Sequence, residues 1–348
     1  MRKLFFILII PTNFAFAQIL NKENFNFSAY GELYYSYDTS SPVNNELPVF
    51  LYNHKRHNEI NLNLLLFEAA YKDDEIRSKV GVMAGTYAHY NLSSEPNWAN
   101  FINEANIGVK LTKKYNLWLD VGVLPSHIGF ESVKGLDCLT LTRSVIAENS
   151  PFFETGANLN FTSANNKLYV ALLALNGWQK IYKNDGIKEL SYGTQINYHL
   201  TNKLFVNYSN FYGSNDSNFK SDKLFFNNLY FKYNPSEKLN FIWGNHLGIR
   251  ENNNYYGTSF IMGYVLNNKL NSAMRYEYFI DKNAINVNLE NSLSYMNLNG
   301  LSLNLDYTIN PKAKFRIEGK YYNNEVELFD DFSKKSNVII TSSLIFRM

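Results

Sequence analysis

The chain has 348 residues, 33 Lys and Arg against 31 Asp and Glu, one cysteine and 16% aromatic side chains. A balance this close leaves no basic footprint for general nucleic-acid binding, and a lone Cys138 excludes an intrachain disulfide framework or a thiolate zinc knuckle. The longest unbroken apolar run, Leu4 to Ile10, is far short of the roughly 18–20 residues a spanning helix needs, so multi-span helical transporters are excluded.

That run belongs to a targeting segment. Arg2 and Lys3 precede it, and Ala15-Phe16-Ala17 reads as an A-x-A cleavage site before Gln18. No Cys follows the site, so lipoprotein anchoring is unsupported. Removal of residues 1–17 takes two basic side chains and leaves a mature chain, 18–348, with its charges in balance. The product is expected to be exported.

A long series of two-residue alternations follows. Phe25, Phe27, Ala29, Gly31, Leu33, Tyr35 and Tyr37 interleave with polar or tyrosine residues. Leu301 to Ile309, Phe315 to Tyr321 and Val338 to Met348 repeat the pattern, and no comparable stretch has helical period. Successive strand side chains point to opposite faces, so the chain is expected to be all-β. Around Leu64-Leu65-Leu66-Phe67 the alternation breaks, with Glu68 displaced, as a β-bulge would produce.

The connections alternate in length. Short polar turns fall at 73–74, 113–114, 164–166, 201–202, 234–237, 267–268 and 310–312. Longer links lie near 39–58, 91–101, 125–152, 176–188, 213–222, 250–254, 281–297 and 323–336. These runs number about sixteen, close to the ten-residue alternating segments of an outer-membrane barrel with short periplasmic turns and long extracellular loops. In hydrocarbon every backbone group must be paired within the protein, so only helices or closed barrels span. Sandwich strands average about 5–6 residues, whereas several runs here continue past ten. One transmembrane antiparallel up-and-down barrel of about sixteen strands, covering 18–348, is therefore expected in place of a secreted β-sandwich. Tyr34, Tyr35 and Tyr37 are expected in one interfacial aromatic girdle, and Tyr115, Trp118, Tyr233 and Tyr307 in the other.

The segments 124–131 (LPSHIGFE), 141–144 (LTRS), 147–156 (AENSPFFETG), 176–179 (NGWQ) and 56–59 (RHNE) resemble the OmpL-like β-barrel porin-2 family of bacterial outer-membrane proteins. The resemblance covers essentially the whole mature chain and implies a passive diffusion channel in the outer membrane. The chain departs from the usual ending of such proteins: it closes on Met348, with its last aromatic at Phe346.

The residues themselves suggest where such a channel narrows. The link 125–152 is the longest, the third on the long-loop side, and carries Glu131, Lys134, Asp137, Arg143 and Glu148. A sixteen-stranded barrel leaves an aqueous lumen, which this loop is expected to constrict by folding inward; the alternative is a loop that merely caps the surface. Arg275, Glu277, Arg316, Glu318 and Lys320 share the polar phase of late strands and are expected on the facing wall. Opposed charge rings set selectivity, and mixed signs predict only a weak one. Arg77 and Lys79 are out of phase with Val80 and Val82 and are expected in the lumen, since Arg or Lys on the lipid face costs about 2–4 kcal/mol at the midplane.

Catalytic signals are weak. His54 and His57 form an H-x-x-H spacing in a loop without a second ligand pair, and Ser126 is only a sequence neighbour of His127. There is no G-x-S-x-G elbow and no phosphate-cradling G-x-x-x-x-G-K-[ST]. Neither enzyme activity nor a cofactor is expected. The expected partners are outer-membrane lipid, small hydrophilic solutes and the outer-membrane assembly machinery, with a trimer by analogy to sixteen-stranded porins. Two other readings stand beside the general channel. One is a sugar-selective channel using Tyr30, Tyr34 and Tyr230 as a track, the other a non-conducting adhesin or scaffold.

Overall fold

Period-two alternation becomes sixteen antiparallel strands in the computed structural model, which describes residues 22–183, 185–214, 223–289 and 295–348. Residues 1–17, expected to be a targeting segment, lie outside the described residues. The strands are β1 (Phe25–Asp38), β2 (Ile60–Lys72), β3 (Ile76–Ala84), β4 (Ile102–Lys110), β5 (Asn116–Pro125), β6 (Phe153–Thr162), β7 (Leu168–Leu175) and β8 (Ser191–His199). They continue as β9 (Leu204–Gly213), β10 (Leu224–Tyr233), β11 (Leu239–Arg250), β12 (Asn253–Val265), β13 (Leu270–Asp281), β14 (Met296–Asn310), β15 (Ala313–Asn324) and β16 (Ser336–Arg347). Each pairs with its sequence neighbours, and β1 pairs with β16, so the sheet closes. Closure removes every sheet edge, the condition for a sheet to sit in lipid. No helix among the described residues is long and apolar enough to cross a membrane.

Phase divides each strand between two solvents. On β1, Leu33, Tyr35 and Tyr37 face outward while Tyr30, Glu32, Tyr34, Ser36 and Asp38 are buried inside. Val80 and Val82 face outward, and Arg77 and Lys79 turn inward to Asp120, Glu68 and Glu104, as their phase requires. The break in β2 resolves at Asn63: Glu32 pairs with Leu64 and Leu33 with Leu62, leaving one extra residue. That bulge puts Asn63, Leu64, Leu66 and Glu68 on the inner face and Phe67 outside.

The seven short turns fall where the sequence puts them. The link at 250–254 does not belong with the long loops: β11 and β12 pair as far as Arg250 and Asn253, leaving only 251–252, with Glu251 at φ 52°. The polar residues there are ladder residues of two long strands. Two girdle expectations are also corrected. Tyr34 and Trp118 point inward, where the Tyr34 hydroxyl accepts from Arg56 N (2.9 Å) and Trp118 lies under the Arg77 guanidinium at 4.4 Å. Tyr35, Tyr37, Tyr115, Tyr233 and Tyr307 do face outward.

At the seam, Ala29 and Met348 exchange backbone hydrogen bonds of 3.1 and 2.9 Å. Phe346 lies over Gly31, its cross-strand partner, so closely that a Cβ there would sit 2.0 Å from the ring.

Candidate functional site

The third long loop, L3 (126–152), does not cap the barrel; it lies inside the lumen against the wall. Arg143 holds it in shape. This fully buried guanidinium donates to the carbonyls of Ser132 (2.7 Å), Leu141 (2.8 Å) and Val133 (3.0 Å), tying the descending limb to the returning one. Glu131 closes the same fold by accepting from the Ser144 amide and hydroxyl, and burial pushes its carboxyl above the ordinary range. Ser144 in turn caps a short helix (Val145–Glu148) by accepting from Ala147 N at 3.3 Å.

One flank of L3 is gripped by charge from β13, β14 and β15. Arg275 donates to Thr140 Oγ1 (2.7 Å), Thr142 O (2.7 Å) and Oγ1 (3.0 Å), and also to Glu318 (2.8 Å). Glu318 accepts from Thr142 N at 2.6 Å, and Glu277 accepts from Val145 N at 2.7 Å. Arg316 bridges Asp306 (2.7 Å) to the carbonyls of Gly135 (2.6 Å), Cys138 and Leu139. Lys320 donates to Arg143 O at 3.0 Å. Buried donors and acceptors left unpaired would each cost about 1–3 kcal/mol; here L3's backbone and the wall's charges largely satisfy one another, with Arg275 Nε and Glu277 Oε1 left facing at 3.6 Å.

The other flank, on β8 to β11, carries one buried ion pair, His127 with Glu154 of β6, among neutral contacts. His127 enters a slot over Gly193, where a Cβ would come within 2.6 Å of Nε2. Its Nδ1 lies 2.6 Å from Glu154 and its Nε2 2.8 Å from Asn210 O. A carboxylate and a carbonyl only accept, so both ring nitrogens must carry protons. Burial is the largest influence and works against that charge, but the Glu154 carboxylate and the Asn210 carbonyl together overcome it and hold His127 above its ordinary value. Gln195 donates to His127 O (3.0 Å), Asn228 accepts from Gly129 N (3.2 Å), and Phe130 fills a recess over Gly244 edge-on to Tyr230.

Two cavities lie on opposite sides of the stretch 149–152. The upper one, about 260 Å³, opens among the long loops and is lined by Tyr52, Tyr90, Asn91, Glu148, Asn149, Trp178 and Asn286. The lower one, about 410 Å³, is bounded by Glu68, Lys79, Glu104, Phe130, Lys134, Asp137, Tyr230 and Lys232.

The sequence-selected residues therefore gather in one place, in an arrangement that differs from the expected one. Arg275, Glu277, Arg316, Glu318 and Lys320 do not face the loop across water; they are at most 3% exposed and hold it by direct contact. Arg143 and Glu131 brace L3 internally. Glu148 accepts from Tyr52 N, Asn53 N and Asn53 Nδ2, fastening the first long loop to L3. Lys134 pairs with Glu68, and Asp137 with Arg347 at 2.9 Å. Arg77 and Lys79 lie on the opposite wall. Tyr30 and Tyr34 are no exposed track: Tyr30 donates to Glu32 (2.7 Å) and accepts from Gly135 N (2.8 Å). Tyr230 is 6% exposed, against Phe130. His54 and His57 part company, one to Glu32 at 2.7 Å and the other to Asp38 N at 2.9 Å. Among the described residues no three His, Cys, Asp or Glu side chains group as metal ligands. Sequence reasoning missed Glu154, Asn304 and Asp306 as holders of L3, for which inward phase on β6 and β14 was the available signal, and His127 of L3 itself, which as a loop residue has no phase to read.

A model of the family described as "putative beta-barrel porin-2, OmpL-like" matches residues 24–348. No curated protein matches the chain. Among solved structures, the outer membrane channel DcaP of Acinetobacter baumannii is similar with a TM-score of 0.62 at 10% identity, over 94% of this chain and 99% of that one. OmpF of Salmonella typhi, in complex with daunomycin, gives 0.60 at 9% identity over 93% and 97%. The trimer form of OmpT from Vibrio cholerae gives 0.57 at 12% identity over 93% and 99%. At these identities the likeness is one of fold.

Proposed function

The chain belongs to the OmpL-like β-barrel porin-2 family, and from that premise we propose that it forms a water-filled outer-membrane channel for passive diffusion of small hydrophilic solutes, without catalysis of its own. The observation that carries this reading is a closed sixteen-strand wall with L3 inside it and a cavity on either side of 149–152. Solutes pass from the upper cavity, beside that stretch and Gln179, into the lower one. Glu148 borders the path above, and Lys134 and Asp137 border it below. Glu131, Arg143 and the five charges of β13 and β15 set the width by fixing L3.

The same reading includes cleavage after Ala17, insertion by the outer-membrane assembly machinery and a homotrimer, for which the trimeric OmpT relative in fold is the support. Mass spectrometry of protein taken from outer membranes tests the cleavage. The channel itself is tested by single-channel recording of refolded 18–348 in planar bilayers. Stepwise conductance, weakly ion-selective in reversal potentials and larger when 130–147 is replaced by a short linker, is the expected result. Silent insertion of a folded barrel would instead leave an adhesin or scaffold.

A further inference from the structure

The upper cavity lies on the path that the diffusion reading assigns, and the following rests on that reading. The chemistry of its lining is one-sided. Asn91 Nδ2 donates to Tyr87 O (3.0 Å), Asn149 Nδ2 to Val145 O (2.8 Å) and Phe50 O (3.1 Å), and Asn286 Nδ2 to Asn149 O (2.7 Å). Each amide turns its NH₂ into the protein, and none of the three side-chain oxygens accepts a bond from the described residues. Glu148 behaves likewise: it is 5% exposed, yet all three of its donors converge on Oε2, leaving Oε1 open.

The cation, the carboxamide NH₂ groups beside it and two of its serine hydroxyls are already committed, which leaves, among the described residues, the Tyr52 and Ser94 hydroxyls and the Trp178 indole N–H as the neutral donors of the lining. Lys180 is held by Ser94 (2.8 Å) with Glu95 at 3.8 Å, Gln179 Nε2 donates to Asn91 O (3.3 Å), and the Ser93 and Ser150 hydroxyls bond carbonyls. Tyr52, Tyr90 and Trp178 supply aromatic surface beside these acceptors. An anion would face the Glu148 carboxylate and three carboxamide oxygens, with the lining cation, Lys180, already held by Ser94 and Glu95. An organic ammonium would find Glu148 but also Lys180 and Lys55, the latter 6.0 Å from the Tyr90 ring. A ring that carries many hydroxyl donors and an apolar C–H face satisfies both halves of the lining. About 260 Å³ is near the lower end of ligand pockets, the size for a single ring.

We propose that the upper cavity is a binding subsite for a monosaccharide-sized polyhydroxylated solute, held by Asn91, Asn149, Asn286 and Glu148 as acceptors and by Tyr52 and Trp178 as stacking surface. Solute bound there is concentrated at the outer side of the constriction before it passes.

The test uses D-glucose on refolded 18–348, with gluconate and tetraethylammonium as size-matched anion and cation. Glucose on the long-loop side is expected to lower single-channel current saturably, and the two ions at equal concentration to do so far less. Tyr52→Ala should raise the half-saturating concentration by up to about tenfold, the scale of one lost aromatic contact, read as fractional block against that variant's own step in salt alone. Asn286→Ala, on a different loop, should raise it less. Saturation-transfer NMR from protein to glucose, in a detergent without a sugar headgroup, reads binding independently of conduction. A bilayer silent in salt alone would sink the channel reading, and the absence of transfer would then sink the subsite as well. Steps in salt with no saturation by glucose, or with half-saturation unmoved in both variants, would overturn the subsite and leave the channel. Stronger block by either ion would overturn the ligand class.

Discussion

The two flanks of L3 hold the same loop by different physics. On β13 to β15 the grip is ionic: Arg275, Glu277, Arg316, Glu318 and Lys320 are buried, and each is matched to named amides, carbonyls or hydroxyls of the loop. On β8 to β11 it is chiefly steric, with one ion pair: glycine slots take the His127 imidazolium, whose charge Glu154 of β6 answers, and a phenyl ring, and carboxamides trim the rest. Charges that are desolvated in pairs tolerate no half measures, because loss of one partner strands the other. Slots and rings degrade by increments. The densely ionic side therefore fixes where the loop lies, and the chiefly steric side fixes how closely it fits.

The most damaging way to break this contrast is Arg275→Met. It leaves Glu318, Glu277 and Glu131 around an apolar side chain and should cost about 3–5 kcal/mol, with a larger conductance step as L3 lifts; urea unfolding and bilayer recording read the two effects. Unchanged values for both would mean that the ionic flank is ornamental. Gly193→Ala pushes a methyl into His127 and should cost about 1–3 kcal/mol, with a smaller change of step size than Arg275→Met gives. Next comes pH. Because the folded protein holds His127 above its ordinary value, the stability it lends is complete below about pH 6.5 and fades as pH rises through the raised value. Protease cutting within 126–152 should accordingly increase on the alkaline side, and His127→Gln should abolish that dependence. The smallest effect is expected from Phe130→Leu, which loses an edge-to-face pair with Tyr230 worth about 0.5–1.5 kcal/mol, seen as broader current noise at nearly unchanged step size.

Much of the barrel is legible in the sequence because lipid and lumen impose opposite demands on alternate residues. That constraint yields the strand count, the seven short turns and the inward placing of Arg77 and Lys79. It fails where one residue type suits both sides. Tyr34 and Trp118 are chemically at home in a girdle or a lumen, and only phase with Glu32 and Asp120 assigns them inward. The bulge at Asn63 shows in sequence as a broken period without saying which residue is extra. The turn at 251–252 hides because Asn253 and Asn254 continue the ladder while looking like loop. The site is half legible: inward charges on late strands and a long third loop are visible. That Arg275 meets Thr142, 133 positions away, is a fact of closure and not of any local pattern.

The seam between β1 and β16 carries a kinetic implication. Ser343 donates to Leu33 O across 310 positions of chain, so the contact that completes the cylinder is among the last that a growing or threading polypeptide can make. Until Phe346 settles over Gly31, both terminal strands present unpaired ladders, a template for pairing with any other copy. Hydrocarbon penalises such an edge. Entry into the bilayer and zipping of the first strand to the last must therefore proceed together, and a chain that stalls one strand short is a candidate for oligomeric misassembly and not for a narrower barrel.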